Sequence, residues 1–138
     1  IDFRFFPLVD AERLLDLGRG EGRHIVHAYW SANLICVGAD LSHKDLQTTR
    51  EKFQSFKRDD QESGFYLQQV DANQLPFADA SFDKIICSEV LEHIENYQQV
   101  LNEILRVLKP GGLLAVSVPR YWPEKICWWL SSEYHQVE

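Results

Sequence analysis

No methionine occurs anywhere in the 138 residues, the chain opens on Ile1, and cysteine appears only three times. The missing methionine leads to the expectation of a segment of a longer product, with residues absent at either end. Cys36, Cys87 and Cys127 are far apart, none forms a Cys-x-x-Cys or Cys/His pair with zinc spacing, and an odd count argues against a disulfide framework. Cys36 and Cys87 sit in apolar runs, so the expectation is free core thiols in a reducing, cytoplasmic compartment, with no metal site. No apolar run approaches the ~20 residues of a membrane helix, and no basic-then-apolar leader opens the chain. Basic clusters are also missing: none is longer than Lys57–Arg58, and the formal charge is −7. Phosphate contacts need a basic face, which argues against a nucleic-acid partner. With no linker, low-complexity segment or internal repeat, residues 1–138 read as a single domain.

Glycine is used sparingly but not evenly. Gly18, Gly20 and Gly22 alternate in "DLGRGEG", directly after the apolar run "ERLLDL" (residues 12–17). Each costs roughly 0.5–1 kcal/mol relative to alanine in regular structure. The turn therefore needs backbone free of side chains, either for a tight strand-to-helix reversal or for close approach to a ligand.

Around this turn the chain alternates between strand-like and helix-like stretches. "NLICVGADL" (33–41), "FYLQQV" (65–70), "FDKIICS" (82–88) and "LLAVSV" (113–118) follow as further apolar strands. "GRHIVHAYWS" (22–31) and "SHKDLQTTREKFQSF" (42–56) read as helices, the second opened by a Ser42/Asp45 capping box. "NYQQVLNEILRVL" (96–108) is a helix capped by Asn96, with Val100, Leu101, Ile104, Leu105 and Leu108 as its apolar recurrence. "KPGG" stops it, and "PEKICWWL" (123–130) starts a last short helix with proline. Strand–helix–strand repetition with continuous apolar strands predicts an α/β fold: a doubly wound, mostly parallel sheet with helices on both faces.

In such a sheet ligands bind beyond the carboxyl ends of the strands, where strand order reverses. The glycine turn lies there, with amide groups of the following helix available to a ligand. Asp40, ending the second strand, is placed to accept both hydroxyls of a ribose; the alternative is a helix-capping or solvent-facing aspartate. Asp71, ending the third, is placed to accept an adenine amine; the alternative is an Asx turn that opens the long loop "DANQLPFADAS".

"LLDLGRGEGRH", "VGADLS", "VDANQLPFADASFDKIICSEVLEHI" and "RVLKPGGLLAVSVP" together resemble the successive motifs of class I S-adenosylmethionine-dependent methyltransferases, of the small-molecule, methyltransferase type 11-like branch. The resemblance runs from Arg13 to Pro119 and implies a Rossmann-like fold, S-adenosylmethionine as cofactor and a small-molecule methyl acceptor. It implies that Asp16, Gly18, Gly20 and Gly22 surround the methionine portion. Asp40 would hold the ribose hydroxyls and Leu41 would pack on the adenine. Asp71 would meet the adenine amine, Ala72 would offer its backbone amide, and Ser88 would lie near the methionine amine. Glu92 and His93 match the "LEH" element, expected at the start of the helix beneath the site.

Two departures stand out. Arg19 replaces the small residue or cysteine usual between the first two glycines; inward, it would pair with the cofactor carboxylate or crowd it. The family's last two strands, a hairpin beside the fifth, are not found, so the C-terminal strands are expected beyond Glu138. The candidates for a general base are His93, Tyr134 and His135, needed only for a poorly nucleophilic acceptor. Tyr121, Trp122, Trp128 and Trp129 either wall an apolar acceptor pocket or pack on the sheet. An Asn/Asp-Pro-Pro-aromatic stretch after the fourth strand, which marks enzymes methylating exocyclic nucleobase amines, is absent. Two alternatives to methyl transfer stay open. One is a non-catalytic member that binds the cofactor or a protein partner. The other is an NAD-type oxidoreductase, against which Arg23 stands where the dinucleotide fingerprint has its third glycine.

Overall fold

A computed structural model describes residues 4–18, 28–29, 32–40, 47–51, 54, 64–88, 90–118 and 124. Five strands are formed: β1 (Arg13–Gly18), β2 (Ile35–Asp40), β3 (Phe65–Gln69), β4 (Phe82–Ser88) and β5 (Leu108–Ser117). They make one sheet in the order β3-β2-β1-β4-β5, and all four pairings are parallel. β2 and β3 step away from β1 in one direction, β4 and β5 in the other. Strand order therefore reverses between β1 and β4, as in a doubly wound, Rossmann-like sheet.

Side chains alternate across a strand, and here the alternation divides them between two cores. On one face Leu15, Leu17, Ala39, Ile85 and Cys87 pack with the helix α1 (Tyr97–Val107). On the other, Leu14, Cys36 and Ile86 pack with Phe6, Ala28, Tyr29 and Leu34. β1 and β4 are covered on both sides, which is why "LLDL" and "IICS" carry no polar alternation. Residues 28–29 and 47–51 are helical, within two of the stretches expected to be helices. The Ser42/Asp45 capping box lies outside the described residues. Among the described residues, no helix is long and apolar enough to cross a membrane.

α1 begins where Asn96 predicts: its Oδ1 accepts the Gln99 N–H at 3.4 Å. Val100, Leu101, Ile104 and Val107 are fully buried, but Leu105 is 39% exposed, against the expected stripe. At about 100° per residue, Leu105 sits some 40° further round the helix than Leu101 and faces away from the sheet. Its place on the inward face is taken by Val107 and by the buried carboxylate Glu103.

β5 also departs from expectation. It starts at Leu108, not Leu113, and includes the "KPGG" read as punctuation. Phe82 faces Leu108 and Lys84 faces Leu113, so residues 109–112 are extruded from the ladder. Gly111 takes a positive φ of 79° there. The helix ends at Val107, one residue short of the expected Leu108, and the proline–glycine signal falls on an irregularity inside the strand rather than on a separate turn.

The amino-terminal edge of the sheet is closed by charge pairs. Buried Lys84 meets Glu12, and Glu12 also accepts the Val9 N–H at 3.0 Å. Asp83 accepts the Arg13 N–H at 2.8 Å and pairs with Lys109 at 3.2 Å. Burial pushes the Asp83 carboxyl up, but the Arg13 amide and the Lys109 and Lys84 ammonium groups outweigh it and hold the group below its ordinary value.

Candidate functional site

The carboxyl ends of β1 to β4 bring Gly18, Asp40, Asp71 and Ser88 to one edge of the sheet. Gly18 lies opposite Ser88 in the β1–β4 register, at the point where strand order reverses. Asp40 lies opposite Gln69, two residues before Asp71, and its carbonyl accepts the Val70 N–H at 2.9 Å. Neighbouring strands are about 4.8 Å apart, so the four positions form a row roughly 14 Å long.

Asp40 is buried at its strand end, 5% exposed. Asp16, two residues before Gly18, is half-buried and paired in register with Gly38 and Ile86. Its charge reaches the thiols on both neighbouring strands. Burial first, and Asp16 second, push Cys36 up to about 12; burial, then Asp16 and Glu92, do the same to Cys87. Both cysteines are buried and free, and at such values they are inert thiols packed in the core.

Asp71 forms the Asx turn weighed as its alternative role. Its Oδ1 accepts the Asn73 N–H at 2.9 Å and the Asn73 Nδ2 at 3.2 Å, and its backbone bridges to Gln74. Ala72, next in the chain, is fully buried. The turn thus points a carboxylate outward from a residue whose neighbour is locked into the core.

Ser88, 9% exposed at the end of β4, has a buried Oγ with no hydrogen-bond partner among the described residues. Glu92 has a buried Oε2 in the same condition. Buried polar atoms are normally paired, since leaving one unpaired costs about 1–3 kcal/mol. Two such atoms four residues apart, just past the strand-order reversal, mark a place where a donor group from elsewhere is wanted. The resemblance already sets Ser88 near a methionine amine, whereas the sequence carries no signal that its Oγ, or Glu92 Oε2, stands unpaired.

The "LEH" element does not start the long helix as expected. Leu91–His93 forms a separate single turn of 3-10 helix, and α1 begins only at Tyr97. Leu91 is fully buried and anchors the turn, while the His93 side chain is half exposed, with Nε2 3.9 Å from Glu92 Oε1. His93 is therefore a solvent-reaching imidazole rather than one satisfied beneath the sheet. Arg19, Gly20, Gly22, Arg23, Leu41, Tyr134 and His135, with Cys127 and the Tyr121–Trp129 aromatics, lie outside the described residues. Among the described residues, no three His, Cys, Asp or Glu side chains are arranged to hold a metal ion.

Comparison with known proteins shows the family and the fold. The family described as "Methyltransferase domain" matches residues 15–116. The 27-O-demethylrifamycin SV methyltransferase of Amycolatopsis mediterranei is 32% identical over 111 residues, covering 80% of this chain and 40% of that protein. The ubiquinone/menaquinone biosynthesis C-methyltransferase UbiE of Desulfotalea psychrophila is 33% identical over 104 residues, covering 74% and 39%. The crystal structure of the [4+2]-cyclase SpnF superposes with a TM-score of 0.71 at 28% identity, covering 79% of this chain and 39% of that one. The chain thus spans about two fifths of the length of these relatives. Strand order and the match over residues 15–116 lead to one conclusion: the chain belongs to the methyltransferase-domain family, of the class I, S-adenosylmethionine-dependent kind.

Proposed function

We propose that residues 1–138 form a single domain that binds S-adenosylmethionine along the carboxyl edge of the sheet and directs its methyl group to a small-molecule acceptor in the cytoplasm. The observation that carries the reading is the row Gly18, Asp40, Asp71, Ser88, with the unpaired Ser88 Oγ at the strand-order reversal. These residues fit the cofactor. A buried carboxylate suits ribose hydroxyls, an outward carboxylate suits an amine, and an orphaned hydroxyl suits an ammonium group.

When bound, the cofactor supplies an electrophilic methyl on a positively charged sulfur. In-line transfer asks the protein mainly for orientation and exclusion of water. In this reading Asp40 holds the ribose, Asp71 and the Ala72 amide hold the adenine, and Ser88 with the Gly18 turn holds the amino-acid end. Gly20, Gly22 and Leu41 complete the cradle, and Asp16 adds negative charge beneath it. A general base is required only for a hydroxyl or protonated amine, and His93, half exposed beside Glu92, is the candidate among the described residues. Tyr134 and His135 remain candidates from the later chain. The relatives' names cover both oxygen and carbon methylation, which supports a small-molecule acceptor without choosing the atom.

Isothermal titration with S-adenosylmethionine, and with S-adenosylhomocysteine as product, tests the reading. Saturable one-to-one binding that Asp40→Ala weakens about a hundredfold is expected. A folded protein that binds neither, or whose Asp40→Ala variant binds as well as the wild type, overturns it. A second reading is favoured by the likeness to SpnF, a [4+2]-cyclase of this fold: here the cofactor would bind without its methyl group being consumed. Binding without S-adenosylhomocysteine formation across an acceptor panel would select it.

A further inference from the structure

The loop that leaves β3 carries the Asp71–Ala72 turn and then runs to β4 without regular structure, yet its backbone is gripped by one helix. α1 reaches it with three side chains spaced at four and then three residues, one face of a helix. Gln99 Nε2 donates to the Asn73 carbonyl at 3.1 Å. Glu103 Oε1 accepts the Leu75 N–H at 2.8 Å. Arg106 donates from Nη2 to the Leu75 carbonyl at 3.0 Å and from Nη1 to the Phe77 carbonyl at 2.8 Å.

A guanidinium group has five N–H donors in a fixed plane, and here all five are engaged. The remaining three go from Nε to Glu103 Oε2 at 2.6 Å, from Nη2 to Glu103 Oε1 at 3.2 Å and from Nη1 to Asp79 at 2.8 Å. The far end of the loop is held by the same residue's backbone: Ala80, in the left-handed region at φ 52°, donates its N–H to the Arg106 carbonyl at 2.9 Å. Arg106 raises its own basicity through Glu103 and Asp79, and its hydrogen bond in turn holds the Glu103 carboxyl below its ordinary value. Apolar anchoring accompanies the polar grip, since Ala72 and Leu75 are buried in the core that Val100, Leu101 and Ile104 share.

We infer that Gln99, Glu103 and Arg106 are positioning residues that set adenine specificity, by fixing where the Asp71–Ala72 turn stands at the sheet edge. The inference rests on the adenine role proposed above for Asp71. A lysine has three donors on one nitrogen and cannot span the Leu75 and Phe77 carbonyls and both Glu103 oxygens together, so Arg106→Lys keeps charge but releases the turn.

The test compares the affinity of the purified protein for S-adenosylhomocysteine with that for S-inosylhomocysteine, which lacks the exocyclic amine. The variants are Arg106→Lys and the milder Gln99→Ala, with amide hydrogen exchange at Asn73 and Leu75 as a ligand-free readout. The wild type should prefer the adenosyl compound about tenfold, the size of one hydrogen bond. Arg106→Lys should bring adenosyl affinity down to the inosyl level while leaving inosyl affinity unchanged, with faster exchange at Leu75. Gln99→Ala should lose part of the preference, with faster exchange at Asn73. A merely structural role would lower both affinities together or leave both unchanged, and either result in folded variants overturns the inference. Unchanged exchange at Leu75 in Arg106→Lys overturns it independently. A wild type that binds neither compound, or both equally, sinks the adenine role of Asp71 and the inference with it. The exchange readout still reports separately whether the grip exists.

Discussion

The two edges of the sheet are built on opposite rules. At the amino-terminal edge Glu12, Lys84, Asp83 and Lys109 are matched with one another and with free backbone amides. At the carboxyl-terminal edge Ser88 Oγ and Glu92 Oε2 are buried and unmatched among the described residues. Both edges belong to the same strands, β1 and β4, separated by a few residues of shared core. The difference teaches which end is structural: paired groups stabilise the free protein, whereas unpaired ones cost stability unless a ligand completes them.

The largest effect expected from disturbing this contrast is at the closed edge. Glu12→Ala leaves the Lys84 ammonium buried without its partner and should cost about 3 kcal/mol in urea unfolding. Adding Lys84→Met should restore most of it, and the affinity for S-adenosylhomocysteine should not change in either folded variant. A cost below about 1 kcal/mol would mean that Lys84 finds water instead. At the open edge, Asp40→Ala should weaken cofactor binding about a hundredfold, the loss of two hydrogen bonds to a charged acceptor, with titration calorimetry as the check.

Ser88→Ala sharpens the contrast from the other side. Removing an unpaired buried hydroxyl should leave the free protein equally stable or about 1 kcal/mol more stable, while weakening cofactor binding severalfold. A clear loss of melting temperature without ligand would show that the hydroxyl already has a partner. The smallest effect is in pH. Asp83 and Glu103 sit below their ordinary values of 3.8 and 4.5, so the stability they add is present above those values and lost as pH falls through the lowered ones. Thermal unfolding from about pH 7 to about pH 3 should be flat from these two groups down to about pH 5, with the loss setting in as pH falls through the ordinary value of Glu103 and then of Asp83. Glu103→Gln should remove part of the acid-side slope. An unchanged slope would separate Glu103 from the acid transition.

Local signals were readable wherever one segment decides its own fate. β4 spans Phe82–Ser88 as expected, Asn96 caps α1, and the carboxyl-end positions of Asp40, Asp71 and Ser88 follow from strand ends alone. Legibility failed where a distant partner decided. Nothing local says that residues 108–112 should join β4 with an irregular register, that Leu105 should face outward, or that the "LEH" turn should stand apart from α1. Arg106 reads as an ordinary polar helix residue, because the carbonyls it binds lie about thirty positions away in a loop with no periodicity.

From sequence by itself came the alternation of elements, the parallel sheet, the family and the residue types at its carboxyl edge, since each depends on side-chain period, caps and turn residues within a few positions. Only the tertiary structure decided which polar atoms are paired and which are left open. Hydrogen-bond satisfaction depends on what another strand or helix brings within about 3 Å, and no single segment holds both halves of that bond.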